Sequence, residues 1–593
     1  MPHSHCDPGW LNTFEQYFMH GTRHIMNNMI QTLEKNKNYK FIWAEMSFLS
    51  LWWDQATIQQ QQLLKKLIND KQFEIVTGGW VMNDEANTHY FSMLDQLIEG
   101  HQFIEHKIGN ISIKSSWAND PFGYSPTMAY LLQGSGIQHL AIQRVHYHIK
   151  KALAKEKQLE FLWQQTWDRS TSTRLFTHVL PFYAYDIPHT CGPDPKICCQ
   201  FDFKRSADSS TACSWGINPV AINDNNIQER AELLLDQYRK KAQLYRTNTL
   251  FVQLGDDFRY RMMYEVRAQF GNYDKLLTYM NRRTDWNVDI QYGTLSDYFE
   301  KVLQEKSLQE FPSYVGDFFT YADHDDNYWS GYFTSRAFFK RMDRIAESYL
   351  RATEILFSIA HVKSLQEKTF NSFPTNDLFI SLIQARRNLG IFQHHDGITG
   401  IIDVFLDRRL TRDDGRGLGE GVMDNRETIS TFKILFEPRR TVLMADRTSL
   451  TGYPTLLAHH LSIELLYPTH IFHSLIPEST LHTLNLFLKP LFLPSDYHLV
   501  NLRTLNDNNN DKKYSSSKNL ALILRRFAYD CDESYDSLFY SEQVRFEHLF
   551  SSNQIESIEQ TSLSLRHIKE KLNITSQLVV PFAELVTYKI RFM

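Results

Sequence analysis

The sequence predicts an α/β protein: a domain over residues 1–316 with a mainly parallel, barrel-like sheet and flanking helices, then a helical bundle over 317–400 and a β-rich region over 401–593. Three observations predict it. In the first three hundred residues short apolar runs alternate with amphipathic stretches, the pattern of a parallel sheet covered by helices. From about residue 317 the strands stop and apolar residues recur at helical spacing. After Thr399 glycines cluster and two further strand-like runs follow.

The strands expected in the first domain are 41–44, 73–77, 115–118, 139–144, 161–165, 174–180 and 250–254. Between several of them lie helical patterns at 13–33, 58–68, 90–106, 228–245 and 264–280. The bundle is expected from 332–359 and 378–392, where helical spacing persists without strands between. In the last region, glycines at 414–421 and the Asn/Asp/Lys/Ser tract 506–518 read as loops, and 520–527 and 578–592 as strands. In sheets of this kind chemistry collects at the carboxyl ends of the strands.

At 593 residues the chain is long enough for roughly two to four domains. Hydrophobic residues at 42% and charged residues at 22% are those of an ordinary globular protein. Aromatics reach 13%, which suits both a large core and flat sugar-binding faces; core is the expected role of most. A net charge of −5 gives no basic excess, which argues against a nucleic-acid partner. No apolar run approaches the length of a membrane-spanning helix, and Met1 is followed at once by a polar, motif-dense stretch rather than a signal peptide, which alone points to the cytosol.

The 6 cysteines point the other way. Cys191, Cys198, Cys199 and Cys213 share a short Pro/Gly-rich segment, while Cys6 and Cys531 stand apart. Four clustered cysteines can bind zinc or form two disulfides; adjacent Cys198 and Cys199 make a poor CxxC knuckle, so disulfides and an oxidising lumen are favoured. Sequons at Asn110 and Asn573 are compatible with that compartment.

Four stretches carry chemistry. In His3-Ser4-His5-Cys6-Asp7-Pro8-Gly9-Trp10, an extended chain places His3, His5 and Asp7 on one face, a partial zinc ligand set or a hydrogen-bonded polar strand end. In Ser116-Trp117-Ala118-Asn119-Asp120-Pro121-Phe122-Gly123, a strand ends in Asp-Pro, which puts Asp120 at a sheet edge facing a cleft or in a simple turn. Leu254-Gly255-Asp256-Asp257-Phe258-Arg259 ends an apolar strand with two carboxylates sent to opposite sides, unless they cap a helix. His394-His395-Asp396-Gly397-Ile398-Thr399-Gly400 offers further ligands, or histidines favouring a helix C-terminus with a glycine cap. Together they make one proposal: His5, Asp7, Asp120 and His395 as a two-nitrogen, two-oxygen zinc site, with Asp120 and Asp257 as the carboxylate pair that glycoside hydrolysis requires.

With those motifs in that order the sequence resembles glycoside hydrolase family 38, whose members carry His-x-Asp-Pro-Gly-Trp, Asp-Pro-Phe-Gly, Gly-Asp-Asp-Phe and His-His-Asp-Gly-Ile-Thr-Gly. The run from Tyr185-Asp186-Ile187-Pro188-His189 through Cys198-Cys199-Gln200-Phe201-Asp202-Phe203-Lys204, and Thr77-Gly78-Gly79-Trp80-Val81-Met82, resemble its Golgi branch in particular. The resemblance runs nearly continuously from His3 to Gly400. It implies a Golgi α-mannosidase that trims α1,3- and α1,6-linked mannose from N-linked glycans, with zinc on His5, Asp7, Asp120 and His395, Asp120 as nucleophile and Asp257 as general acid. It further implies sugar-site roles for Trp10, Phe122, Arg144, Tyr185, Asp256, Trp329 and Asp396, and the disulfides Cys191–Cys198 and Cys199–Cys213.

The sequence departs from the family's pattern in several places. Cys6 stands where the family usually has Asn, so a thiolate could compete at the metal, and Tyr124 replaces a usual His. The chain begins at the first motif, so the family's tail, anchor and stem are expected to be absent from it. After Gly400, Ile401-Ile402-Asp403-Val404 leads to Arg408-Arg409-Leu410 and Asp413–Gly421, which resemble a segment much nearer the family's C-terminus; a truncated β region is expected. Two rivals follow: a catalytically impaired, mannose-binding remnant with apolar surface bared by the deletion, and a lysosomal-type mannosidase of broader range. A zinc amidohydrolase is a third, but it would activate metal-bound water and need no second carboxylate at Asp257.

Overall fold

The computed structural model describes residues 1–168, 172–207, 212–366, 374–399, 428–429, 431–436, 453–469, 493–507, 514–529, 544–550 and 554–593. The junction after Gly400, the glycines at 414–421, Cys531 and residues 508–513 of the polar tract lie outside them.

Six strands form where alternating or continuous apolar runs predict them: β1 (Phe41–Trp43), β2 (Phe73–Ile75), β3 (Ser115–Ala118), β4 (His139–Ile142), β5 (Glu160–Gln164) and β6 (Leu175–Val179), with β7 (Ser313–Val315) at the edge. β1 pairs parallel with β2, β3 with β4, β4 with β6 and β5 with β7; only β5–β6 is antiparallel. The amide of Thr77 bonds the carbonyl of Ser115 and joins β2 to β3, while parallel bridges His3–Ile42 and Pro2–Leu254 add the first residues and the 250–254 run.

The 250–254 run pairs only through such single bridges. Its carbonyls are taken elsewhere: Phe251 O accepts from Lys241 Nζ, and Gln253 O accepts from Thr190 Oγ1 at 2.9 Å. Side chains thus replace a strand neighbour.

The sheet rolls up. From the 250–254 run to β6 there are six strand steps, which on a flat sheet would span about 29 Å. Yet the rings of Phe251 and His178 on β6 lie 5.7 Å apart, and Phe251 also meets Trp117 on β3 at 6.0 Å. Alternation then sorts the side chains: Ile42, Trp117, Ala141, Phe176 and Leu162 join Phe251 in an inner core, while Phe41, Ala118, Ile142 and Trp163 face the outer helices. The helix Leu295–Glu305, started by a Thr294–Asp297 capping box, contributes Leu295, Tyr298, Phe299 and Val302 to the inner core.

Helices Ala337–Gln366 and Thr375–Phe392 pack together and against the C-terminal sheet, which runs β11 (Ile568–Leu572), β10 (Ile555–Thr561), β12 (Leu585–Phe592), β9 (Ser516–Arg526), β8 (Tyr497–Asn506), all antiparallel. β9 is buried on both faces. Leu520, Leu522 and Leu524 face a core shared with Ile359 and Val362 of the bundle, and Ala521 and Ile523 face the core of the α/β domain. A buried ionic network crosses the same junction: Arg503 meets Asp95 at 2.5 Å and Glu99 at 3.6 Å, Arg387 meets Glu99 at 2.9 Å, and Arg386 bonds Glu354.

Candidate active site

The four motifs converge at the carboxyl ends of the parallel strands. His5 and Asp7 close the first extended segment, Asp120 lies two residues beyond β3, Arg144 two beyond β4, Tyr185 in the loop after β6, and Asp256 and Asp257 after the 250–254 run. The turn after Asp120 depends on Gly123, at φ +100°, where a Cβ would lie 2.8 Å from the carbonyl of Phe318.

His5, Asp7, Asp120 and His395 each present a ligand atom within 4.8 Å of the others, and all four are buried. His5 Nε2 is 2.8 Å from Asp7 Oδ1 and 3.3 Å from Asp120 Oδ2; His395 Nε2 is 3.0 Å from Asp120 Oδ2 and 3.7 Å from Asp7 Oδ1. A second group, Asp7, His394, His395 and Asp396, shares two of these residues.

His395 is held from behind. The strand-end stretch Thr77–Met82 runs beside the end of the Thr375–Phe392 helix, and the carbonyl of Met82 accepts from Nδ1 of His395 at 2.9 Å and of His394 at 3.3 Å. A carbonyl only accepts, so Nδ1 of each ring carries a proton and both Nε2 atoms face the carboxylates of the cluster, where an ion would stand in place of a second proton.

These residues fit a zinc-type ion. His5 Nε2, His394 Nε2 and Asp7 Oδ1 are buried without an aligned hydrogen bond, although opposite charges lie close. Two imidazole nitrogens and two carboxylate oxygens are a proper donor set. The pocket also draws positive charge. Burial opposes protonation of His5, but Asp7 and Asp120 outweigh it and push the imidazole well above its usual range. Burial likewise opposes charge on His394, yet Asp396 and Asp7 raise it to about 9.

The carboxylate pair is pushed apart. Burial alone would raise the Asp120 carboxyl, but the Arg144 guanidinium, His395 and His5 hold it well below the usual range. Arg144 Nε donates to Asp120 Oδ1 at 2.6 Å, and Nη2 bonds the same oxygen. Asp257 moves the opposite way: burial, then the neighbouring carboxylates Asp256 and Asp7, raise it well above its usual value despite His5. Tyr185 Oη donates to Asp257 Oδ1 at 2.6 Å. Asp256 Oδ1 accepts the amide of Asp257 at 2.9 Å, and burial with the nearby Asp186 raises its carboxyl to about 6.

Aromatic rings surround the Arg144 guanidinium, with ring centroids at 5.1 Å for Trp329, 5.4 Å for Phe122, 5.8 Å for Tyr321 and 5.9 Å for Tyr185. Phe122 also lies edge-on to His395 at 5.6 Å. Trp10 is half-buried and, among the described residues, makes no hydrogen bond or ring contact with the four ligands.

Cys6 does not compete at the metal position. Chain alternation turns it away from His5 and Asp7 into the outer core, where its Sγ lies 3.4 Å from Ser4 Oγ, and burial with Glu45 pushes the thiol well up. Cys191–Cys198 and Cys199–Cys213 form disulfides.

Sequence reasoning missed His394, Tyr321, Glu45 and the Met82 carbonyl. His394 sat inside a motif already singled out and was passed over for its neighbour. Glu45, buried with both carboxylate oxygens unpartnered, and Met82, which acts through its backbone, carry no local signal.

The family model for the glycosyl hydrolases family 38 N-terminal domain matches residues 1–324, and that for the alpha mannosidase middle domain matches 327–404. The chain is 55% identical over 406 residues to human alpha-mannosidase 2, covering 68% of this chain and 35% of that protein. It is 50% identical over 417 residues to the Arabidopsis thaliana alpha-mannosidase 2 and 50% over 405 residues to that of Drosophila melanogaster, each again across 68% of this chain and 35% of the relative. The chain thus spans about a third of the length of the curated relatives it matches. With a family model covering more than half of its residues, and with the motif residues gathered as described, the chain belongs to glycoside hydrolase family 38.

Proposed function

We propose that this chain is a zinc-dependent, retaining α-mannosidase that removes terminal α1,3- and α1,6-linked mannose from N-linked glycans in the Golgi lumen. The observation that carries it is Asp120: one carboxylate oxygen faces the four-ligand cluster and the other is clamped by Arg144, so the group stays ionised while Asp257 holds its proton. Two titratable groups driven apart in this way supply a nucleophile and an acid.

His5, Asp7, Asp120 and His395 would hold zinc, which would supply a Lewis acid beside the bound mannose. Asp120 attacks the anomeric carbon while Asp257 gives its proton to the leaving oxygen, forming a mannosyl ester and freeing the alcohol. Asp257, now a carboxylate, takes a proton from water. That water attacks the anomeric carbon, breaking its bond to the Asp120 carboxylate, and two inversions give net retention. Tyr185 orients Asp257, and the rings of Phe122 and Trp329 offer flat faces beside the cluster. The α-mannosidase activity of the named relatives, the two disulfides and the Golgi-type segment support this substrate and compartment.

The test is hydrolysis of an aryl α-mannoside by the secreted full chain, with and without a zinc chelator. Activity abolished by chelation and restored by zinc is the expected result. Soluble, folded, zinc-loaded protein without activity would leave the mannose-binding remnant as the better reading.

A further inference from the structure

Two overlapping ligand groups share Asp7 and His395, and only the inner one is used by the chemistry above. The outer group adds His394 and Asp396. His394 Nε2 is buried, has no aligned hydrogen bond, and points between Asp7 Oδ1 at 3.4 Å and Asp396 Oδ2 at 3.7 Å. Its Nδ1 proton is committed to the Met82 carbonyl, so an ion between the two carboxylates would take Nε2 in place of any proton there. Asp396 Oδ2 also lies 3.8 Å from His395 Nε2.

Because the same oxygen of Asp7 and the same nitrogen of His395 serve both groups, one ion cannot occupy each at once. They are alternative positions for a single ion, a short step apart. They also differ in access. The Asp396 side chain is 12% exposed, against 0% for His5, His394 and His395. The Asp120 side chain is 9% exposed, and there the Arg144 guanidinium on Oδ1 confronts an arriving dication with like charge. Among the described residues no arginine pairs with Asp396.

We propose that Asp396 and His394 form an outer loading position through which a divalent cation reaches, and leaves, the inner site of His5, Asp7, Asp120 and His395. The ion first meets Asp396, is handed to His394 Nε2 and Asp7, and then exchanges those partners for His5 and Asp120. Asp7 and His395 hold it throughout the exchange, so it is never bare. The inference rests on the metal-centre reading above.

A loading position lowers the barrier in both directions and leaves the equilibrium alone, which separates it from a ligand or a packing role. The experiment strips the full chain with a chelator, follows Co²⁺ uptake by its visible absorbance in a stopped-flow instrument, and follows release to a competing chelator. His394→Asn and Asp396→Asn are each expected to slow uptake and release severalfold and by the same factor, with Kd and the final Co²⁺ spectrum unchanged. Rates equal to those of the parent chain overturn the proposal. So does a weaker Kd through faster release, which would make these residues ligands or supports of the inner site. If the parent apoprotein takes up no Co²⁺, the metal-centre reading fails and this inference with it. Thermal unfolding of each apoprotein checks its fold, and Asp396→Asn decides the matter should His394→Asn not fold.

Discussion

The carbonyl oxygen of Met82 accepts the Nδ1 proton of His395 at 2.9 Å, and that one bond decides which nitrogen faces Asp120. Met82 has no chemistry of its own here. It acts because Thr77–Met82 leaves β2 in a fixed course, with the Trp80 amide bonded to the carbonyl of Gln96 at 3.0 Å and the Asp84 amide to that of Gln393 at 2.8 Å. The ligand is therefore oriented by backbone two elements away.

That course depends on Gly100. A Cβ there would lie 2.1 Å from the carbonyl oxygen of Gly78 and 2.6 Å from the carbonyl carbon of Gly79, both backbone atoms that cannot swing aside. Gly100→Ala is expected to push the Tyr90–Phe103 helix away from the strand end, costing about 1–3 kcal/mol or more. Denaturant titration of the apoprotein measures the loss, and a weaker zinc affinity in the surviving folded fraction ties it to His395. A variant as stable as the parent would show that the helix can shift freely.

Tyr124 links two strand ends. Its hydroxyl donates to Ala118 O at 2.7 Å and accepts the amides of Gln143 at 2.9 Å and Arg144 at 3.0 Å. Tyr124→Phe strands two buried amides, at about 1–3 kcal/mol each, and loosens the residue that clamps Asp120. Both a lower melting temperature and a lower kcat are expected. Unchanged kcat with a lower melting temperature would make the hydroxyl a purely structural brace.

Acid should weaken the fold through His101. Burial and nearby Arg566 hold this imidazole down to about 3, while its Nε2 proton goes to the carbonyl of Thr77 at 2.9 Å. Between about pH 3 and the ordinary histidine value near 6.5 the unfolded chain binds the extra proton and the folded chain does not, so stability falls as pH falls through that window. The full contribution, present above about pH 6.5, amounts to a few kcal/mol. His101→Gln keeps an N–H donor and removes the titration, so its melting temperature is expected to vary less between pH 7 and pH 4. An identical pH slope in both proteins assigns the acid sensitivity to other groups.

The local chemistry of the site was legible; its support was not. His5 and Asp7 share a face because an extended chain repeats every two residues, and Asp120 follows the short run Ser115–Ala118, expected as a strand and found as β3. Cys6 was misjudged for want of the same alternation, which turns it into the outer core. Strand positions in the α/β domain came from apolar runs, but the closeness of Phe251 and His178 did not, because curvature is a sum of small twists over many strands. Met82, Gly100 and Tyr124 act through backbone atoms far away in sequence, which no motif records.

Asp257→Asn tests the acid directly. Amide cannot protonate a leaving oxygen, so loss is expected to follow leaving-group basicity. Poor leaving groups should lose on the order of 10²–10⁴-fold in kcat/KM, while an activated dinitrophenyl mannoside loses far less. Equal losses for both substrates would remove Asp257 from the acid role.

Arg503 offers the sharpest test of whether the C-terminal sheet belongs to the working protein. It projects from β8 into a junction where its guanidinium meets Asp95 at 2.5 Å and Glu99 at 3.6 Å, on the same helix that carries Gly100. Burial raises Asp95 to about 7 even with this partner beside it, so the carboxyl depends on Arg503 for what charge it holds. Arg503→Met leaves Asp95 and Glu99 facing each other without that cation, and breaking a buried pair from one side costs about 3–5 kcal/mol. The double change Arg503→Met with Asp95→Leu removes both charges and should recover much of that loss. Such recovery, read from denaturant midpoints, would show an ionic junction joining sheet and α/β domain into one cooperative unit. Should Arg503→Met leave the midpoint unchanged, the C-terminal sheet would be an appendage that the α/β domain does not need.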